Sequence, residues 1–150
     1  EMDDFAFDTG SQNFYGLVGS ARNLMAPGRR PASSMAPTVV LDANGARYVV
    51  GGAGGSRILT GVLQALVSYL AIAPGDLARS IRAPRAHHQW KPDRLEIEAP
   101  ALEKIRPALE ARGHTVGPWA WFARVEAAAR ENGTVRATFD PRDYGGAAAW

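Results

Sequence analysis

The segment that most limits how this chain can fold runs from Ala46 to Leu70. It reads Ala-Arg-Tyr-Val-Val, then Gly51-Gly52-Ala53-Gly54-Gly55, then Ser56-Arg57-Ile58-Leu59 and onward. Tyr48, Val49 and Val50 are a short β-branched and aromatic run. From Ile58 the apolar residues fall at positions 58, 59, 62, 63, 66, 67 and 70, the i, i+3, i+4 stripe of a helix packed on a core. The segment therefore predicts strand, glycine turn and helix, the helix starting near Ser56. The first-turn N–H groups of a helix have no carbonyl partner inside it, and glycines just before it let an anionic oxygen come close to the backbone. Such a turn suits the oxyanion of acyl transfer. A dinucleotide fingerprint is missing, because Arg57 stands where the third glycine is needed, and so is the Gly-Lys-Ser/Thr of a phosphate loop. The competing use of the same glycines is a plain tight turn that needs positive φ.

Around this segment the rest falls into place in order. Glu1 to Phe7 is an acidic stretch interleaved with Met2, Phe5 and Phe7, and it runs into the turn formers Asp8 to Asn13. Phe14 to Arg30 has no period of either kind and reads as a long ordered loop, a feature more often functional than not. Pro31 and Pro37 bracket an extended segment that presents Ser33 and Ser34 side by side. Thr38–Leu41 and Arg47–Val50 form two strands around Asp42-Ala43-Asn44-Gly45, a hairpin that leads into the glycines. Asp76 caps a shorter helix carrying Leu77 and Ile81, which ends at Pro84.

Beyond it, Arg94–Glu98 alternates Leu95 and Ile97 with Glu96 and Glu98, the pattern of a half-buried strand. Ala101–Arg112 reads as a helix that Pro107 should kink or restart, closing at Gly113. Two strands surround Glu131-Asn132-Gly133, and a turn follows at Asp140-Pro141-Arg142.

Several function classes drop out. No apolar run approaches the roughly 20 residues that cross a bilayer, so no membrane span is expected. The net charge of +2 is carried by arginines scattered from Arg22 to Arg142, of which only Arg29 and Arg30 are adjacent. That leaves no basic stripe for a nucleic-acid backbone. With no cysteine, thiol catalysis and thiolate metal sites are impossible. His87 and His88 are neighbours, and neighbours do not face one way on a helix or strand, so the pair reads as structural and no metal is expected.

Six motifs in order then carry a resemblance: Glu1-Met2-Asp3-Asp4-Phe5, Asn13-Phe14-Tyr15-Gly16-Leu17-Val18-Gly19, Arg30-Pro31-Ala32-Ser33-Ser34-Met35-Ala36-Pro37, Gly51-Gly52-Ala53-Gly54-Gly55-Ser56-Arg57-Ile58, Pro84-Arg85-Ala86-His87-His88-Gln89-Trp90 and Asp140-Pro141-Arg142. Over essentially its whole length the chain resembles the small subunit of gamma-glutamyltranspeptidase. The resemblance implies an α+β N-terminal-nucleophile hydrolase, a four-layer αββα sandwich of which residues 1–150 are the C-terminal portion of the small-subunit domain. It implies a precursor that cuts itself into large and small subunits, work in the periplasm or outside the cell, and no cofactor.

The reaction implied is γ-glutamyl transfer and hydrolysis, with glutathione as a substrate, through an acyl-threonine. The nucleophilic threonine of the family precedes the Asp-Asp motif and so is expected to lie outside this chain. Thr9, Thr38 and Thr60 match no nucleophile position. By motif, Asp4 corresponds to the carboxylate that holds the α-ammonium of the γ-glutamyl group, with Glu1 assisting. Ser33 and Ser34 correspond to the hydroxyls that bind the α-carboxylate, Gly54 and Gly55 to the oxyanion hole, and Tyr15 to a lid over the glutamate pocket. Two alternatives are a cephalosporin or glutaryl acylase of the same superfamily, against which Asp4 argues, and a non-catalytic relative that binds amino-acid ligands.

Overall fold

The computed structural model describes residues 2–118 and 123–147; Glu1 lies outside them. Its centre is a four-stranded antiparallel sheet in the order β1-β2-β6-β7, built from β1 (Thr38–Asp42), β2 (Gly45–Ala53), β6 (Arg124–Glu131) and β7 (Thr134–Thr138). A smaller sheet joins β3 (Ala86–His87), β4 (Leu95–Ile97) and β5 (Val116–Pro118), with β4 and β5 parallel. Three helices, α1 (Arg57–Val67), α2 (Leu77–Arg82) and α3 (Ala99–Glu110), complete the α+β arrangement.

Both hairpins form where the turn residues predict them. Asn132 and Gly133 take φ of 49° and 81°, the pair of left-handed residues that a tight β6–β7 turn needs. Asp76 caps α2 by accepting from the Arg79 N–H at 2.9 Å. Between β1 and β2 the register slips at Val40/Leu41, a bulge that realigns the hairpin before the glycines.

The core lies between one face of the large sheet and helices α1 and α2. Tyr48 and Val50 from β2, with Val125, Ala127 and Ala129 from β6, meet Ile58, Val62 and Ala65 of α1 and Ile81 of α2. The small side chains of β6 let α1 approach closely, and Tyr48 stacks on Tyr69 with ring centroids 4.4 Å apart. Burial of Tyr48 pushes its hydroxyl up to about 12.

Four expectations from the sequence change. The strand does not stop at Val50: Gly51, Gly52 and Ala53 pair with Glu126, Val125 and Arg124, so the glycine turn shrinks to Gly54-Gly55. The helix does not run regularly to Leu70. It gives way at Ser68–Ile72 to a wider π turn, closed by the Ala73 N–H on the Ser68 carbonyl at 2.8 Å, beyond which Pro74 has no N–H to offer. Only part of its apolar stripe is buried, since Leu59, Leu63, Val67 and Leu70 are exposed on the side away from the sheet. Helix α3 runs unbroken through Pro107.

Candidate active site

The two glycines before α1 have backbone shapes other residues adopt reluctantly. Gly54 has φ of 138° and Gly55 of 59°. Their carbonyls accept from the N–H groups of Arg57 and Ile58 at 3.3 and 3.0 Å, which ties the turn to the first turn of the helix. Both positions are also tightly covered. A Cβ on Gly54 would stand 2.7 Å from the Ala123 Cα, and one on Gly55 would stand 2.2 Å from the Tyr15 ring. Tyr15 therefore lies directly on the turn, from 40 residues earlier in the chain, and the Arg57 guanidinium sits 5.8 Å from its ring centroid.

The loop that carries Tyr15 is locally knotted. Asn13 accepts through its side-chain oxygen from the N–H groups of Tyr15 and Leu17, and its carbonyl accepts from Gly16. The expectation of a long ordered loop holds, with its order supplied by such short bonds.

A second clasp assembles the segments that carry Asp4 and the serines. Asp4 ends a one-turn 3₁₀ helix, and its side chain is exposed. The Asn23 side chain donates to the Asp4 carbonyl at 2.8 Å and accepts from the Ala32 N–H at 2.7 Å, one residue before Ser33. Its own carbonyl accepts from Ala6 at 2.9 Å. Ser33 accepts through its hydroxyl oxygen from the Met35 N–H at 3.2 Å. Among the described residues no hydrogen bond links the Asp4 carboxylate to Ser33 or Ser34, whereas Asn23 bonds to both of their segments. Glu1, expected beside Asp4, is outside the described residues.

Sequence reasoning missed a buried polar layer under the turn. Arg57 and Glu96 form an ion pair of 2.8 Å with side chains only 5% and 7% exposed. The alternating pattern of β4 placed Glu96 on a solvent face; that face, opposite Leu95 and Ile97, is buried as well and meets Arg57 at the start of α1. The histidine pair splits as the sequence required, His87 inward and His88 outward. The His87 Nδ1 lies 2.8 Å from the Thr60 hydroxyl and its Nε2 lies 2.9 Å from the Gln89 side-chain oxygen. Burial pushes the His87 imidazole below the ordinary histidine range against an opposing pull from Gln89, with a lesser downward push from the Arg57 charge.

The last motif, Asp140-Pro141-Arg142, closes a buried charge cluster behind the core. Asp140 accepts from Arg85 at 2.6 Å, from the Val125 N–H at 2.8 Å and, through its other oxygen, from Arg142 at 2.9 Å. Arg142 also makes a two-pronged pair with Glu98, at 2.5 and 2.6 Å. Burial pushes the Asp140 carboxyl up, but the Arg85 charge and the donors from Val125 and Arg142 outweigh it and hold it below the usual range.

A family model for gamma-glutamyltranspeptidase matches residues 1–150. The chain belongs to the gamma-glutamyltranspeptidase family. It is 43% identical to a glutathione hydrolase proenzyme of Escherichia coli over 116 residues, which is 77% of this chain and 20% of the relative. It is 38% identical to glutathione hydrolase proenzyme 1 of Schizosaccharomyces pombe, over 99% of this chain and 24% of the relative. The chain thus spans about a quarter or less of the length of these two curated relatives.

Among solved structures, a Helicobacter pylori gamma-glutamyltranspeptidase mutant matches with a TM-score of 0.86 at 36% identity, covering 95% of this chain and 79% of the other. The Bacillus anthracis transpeptidase CapD matches with a TM-score of 0.68 at 25% identity, over 80% and 73% of the two chains. The fold is that of the N-terminal-nucleophile hydrolases, as expected from the motifs. Among the described residues no helix is long and apolar enough to cross a membrane.

Proposed function

We propose that these residues are the C-terminal portion of the small subunit of a γ-glutamyl transferase and hydrolase, and that they read the γ-glutamyl group and stabilise its transition state. The observation that carries the reading is the Gly54-Gly55 turn at the start of α1, left-handed at both residues and covered by Tyr15. In this reading a threonine outside these residues attacks the γ-carbonyl carbon. The carbonyl oxygen becomes an oxyanion facing the N–H groups of Gly54 and Gly55, each donor contributing about 3 kcal/mol to the barrier reduction. The C–N bond then breaks, the amine leaves with a proton, and the acyl-threonine is released to water or to an amino-acid or peptide amine.

The free amino-acid end of the donor has one positive and one negative group. Asp4 takes the ammonium, and Ser33 and Ser34 take the carboxylate, with Asn23 setting the distance between their segments. Glutathione is the natural substrate on this reading, since the relatives are named glutathione hydrolase proenzymes. By the same likeness the protein is made as a precursor, cuts itself, pairs with its own large subunit, and works in the periplasm or outside the cell.

The test separates this function from a glutaryl acylase. In the full-length mature protein, Asp4→Asn removes the charge that pairs with the α-ammonium. It should lower kcat/KM for a γ-glutamyl anilide by about 30-fold or more. It should do little to a glutaryl anilide, which lacks the amino group. A ratio of the two donors that does not move would rule out Asp4 as the ammonium reader.

A further inference from the structure

The side chain of Gln89 makes four hydrogen bonds, the full capacity of an amide. Its Nε2 donates to the Tyr15 carbonyl at 2.5 Å and to the Lys91 carbonyl at 3.0 Å. Its Oε1 accepts from the Ser56 hydroxyl at 2.6 Å and faces the His87 Nε2 at 2.9 Å. Two carbonyls on one side fix the nitrogen there, so the amide has a single orientation. An oxygen facing His87 then requires the proton on Nε2, and in the neutral ring Nδ1 accepts from the Thr60 hydroxyl at 2.8 Å in preference to that hydroxyl's longer approach, 3.2 Å, to the Arg57 carbonyl. Burial, which disfavours the charged ring, is consistent with this neutral form.

Two of the four partners, His87 and Lys91, are local, and the other two come from distant parts of the chain. Tyr15 lies 74 residues before Gln89, and Ser56, the residue that follows the glycine pair, lies 33 before it. Tyr15 reaches the turn as a ring on Gly55, and its backbone is tied both into the Asn13 knot and to Gln89.

We infer that Gln89 is a positioning residue that latches the Tyr15 loop to the Gly54-Gly55 turn, so that the ring stays against Gly55 while the donor binds. This rests on the proposed function in naming the donor; the latch itself does not. Gln89 touches neither the glycine N–H groups nor Asp4 and acts through Tyr15 and Ser56. The chemistry is directional. Gln89→Glu keeps an acceptor for Ser56 and His87 but turns oxygen lone pairs toward the two carbonyls, which repels them. Gln89→Met keeps the length and removes all four bonds.

Both variants are made in the full-length mature protein, and two quantities are measured. Hydrogen exchange over residues 12–18 should become about tenfold faster in either variant, with exchange in β2 and β6 unchanged, because the loop opens locally while the core stays shut. KM for a γ-glutamyl anilide should rise about tenfold, with kcat changing much less. Unchanged exchange over 12–18 in both variants overturns the latch, whatever the substrate. Faster exchange with unchanged KM overturns its part in donor binding. If wild-type protein turns over no γ-glutamyl donor, the functional reading fails and the exchange measurement alone decides the latch. Should Gln89→Glu not fold, Gln89→Met carries both measurements.

Discussion

Asn23 donates from its side-chain amide to the Asp4 carbonyl at 2.8 Å, and with its other atom it accepts from Ala32 at 2.7 Å. One side chain thereby spaces the two segments that would read the two ends of an amino acid. Nothing in the local pattern marks it, since Asn23 sits in the aperiodic stretch from Phe14 to Arg30 and its partners lie 19 and 9 residues away.

Replacing Asn23 by alanine in the full-length mature protein removes both bonds. Each is worth about 1 kcal/mol net, so KM for a γ-glutamyl donor should rise by up to about 30-fold, with a smaller change in kcat. Asn23→Asp keeps the acceptor for Ala32 but sets oxygen lone pairs against the Asp4 carbonyl, and should raise KM at least as much. Steady-state kinetics on the three proteins decides it; a KM equal to wild type in both variants removes the spacing role.

The glycine pair should respond unequally to alanine. At Gly54 the new Cβ meets the Ala123 backbone at 2.7 Å, which cannot swing aside, and kcat should fall about 100-fold or more. At Gly55 the obstacle is the Tyr15 ring, which can be removed. Gly55→Ala combined with Tyr15→Ala should therefore lose less than the product of the single losses. Full additivity in kcat of the correctly processed proteins would contradict the contact.

Asp140→Asn leaves Arg85 buried without its counter-charge and should cost about 3 to 5 kcal/mol in urea unfolding. The sign of the pH effect follows from the Asp140 carboxyl lying below the ordinary aspartate value of 3.8. The unfolded chain takes up a proton first, so the stabilisation is complete above about pH 4 and is lost as the pH falls through the folded-state value. That acid-side slope should be shallower in Asp140→Asn.

His87 gives a second slope at milder acidity. Its imidazole lies below the ordinary value of 6.5, so the unfolded state again binds the proton more readily. Stability is full above about pH 6.5 and declines as the pH falls below it. His87→Gln should flatten the urea midpoint between pH 7 and pH 5, and an unaltered slope would mean that His87 is not the group responsible.

The sequence determined what neighbouring residues settle among themselves. Asn132-Gly133 takes left-handed φ at little cost, so the last hairpin turns there. Asp76 caps α2 because its carboxylate reaches an N–H three residues on. The glycines before Ser56 permit the left-handed turn, and the six motifs in order were enough to place the chain in its family.

The tertiary structure decided what depends on distant partners. Gly51, Gly52 and Ala53 have little strand preference, yet they are strand because Arg124, Val125 and Glu126 lie beside them and offer the ladder bonds. Glu96 is buried although its pattern marked a solvent face, because Arg57 of α1 covers that face of β4. Leu59 and Leu63 share one helical stripe with Ile58 and Val62, but the two sheets that α1 touches leave the Leu59 and Leu63 side uncovered. Asn23 and Gln89 gain their importance only when segments far apart in the chain converge on one amide group. A hydrogen bond is made by proximity in space, and only the folded chain supplies that proximity.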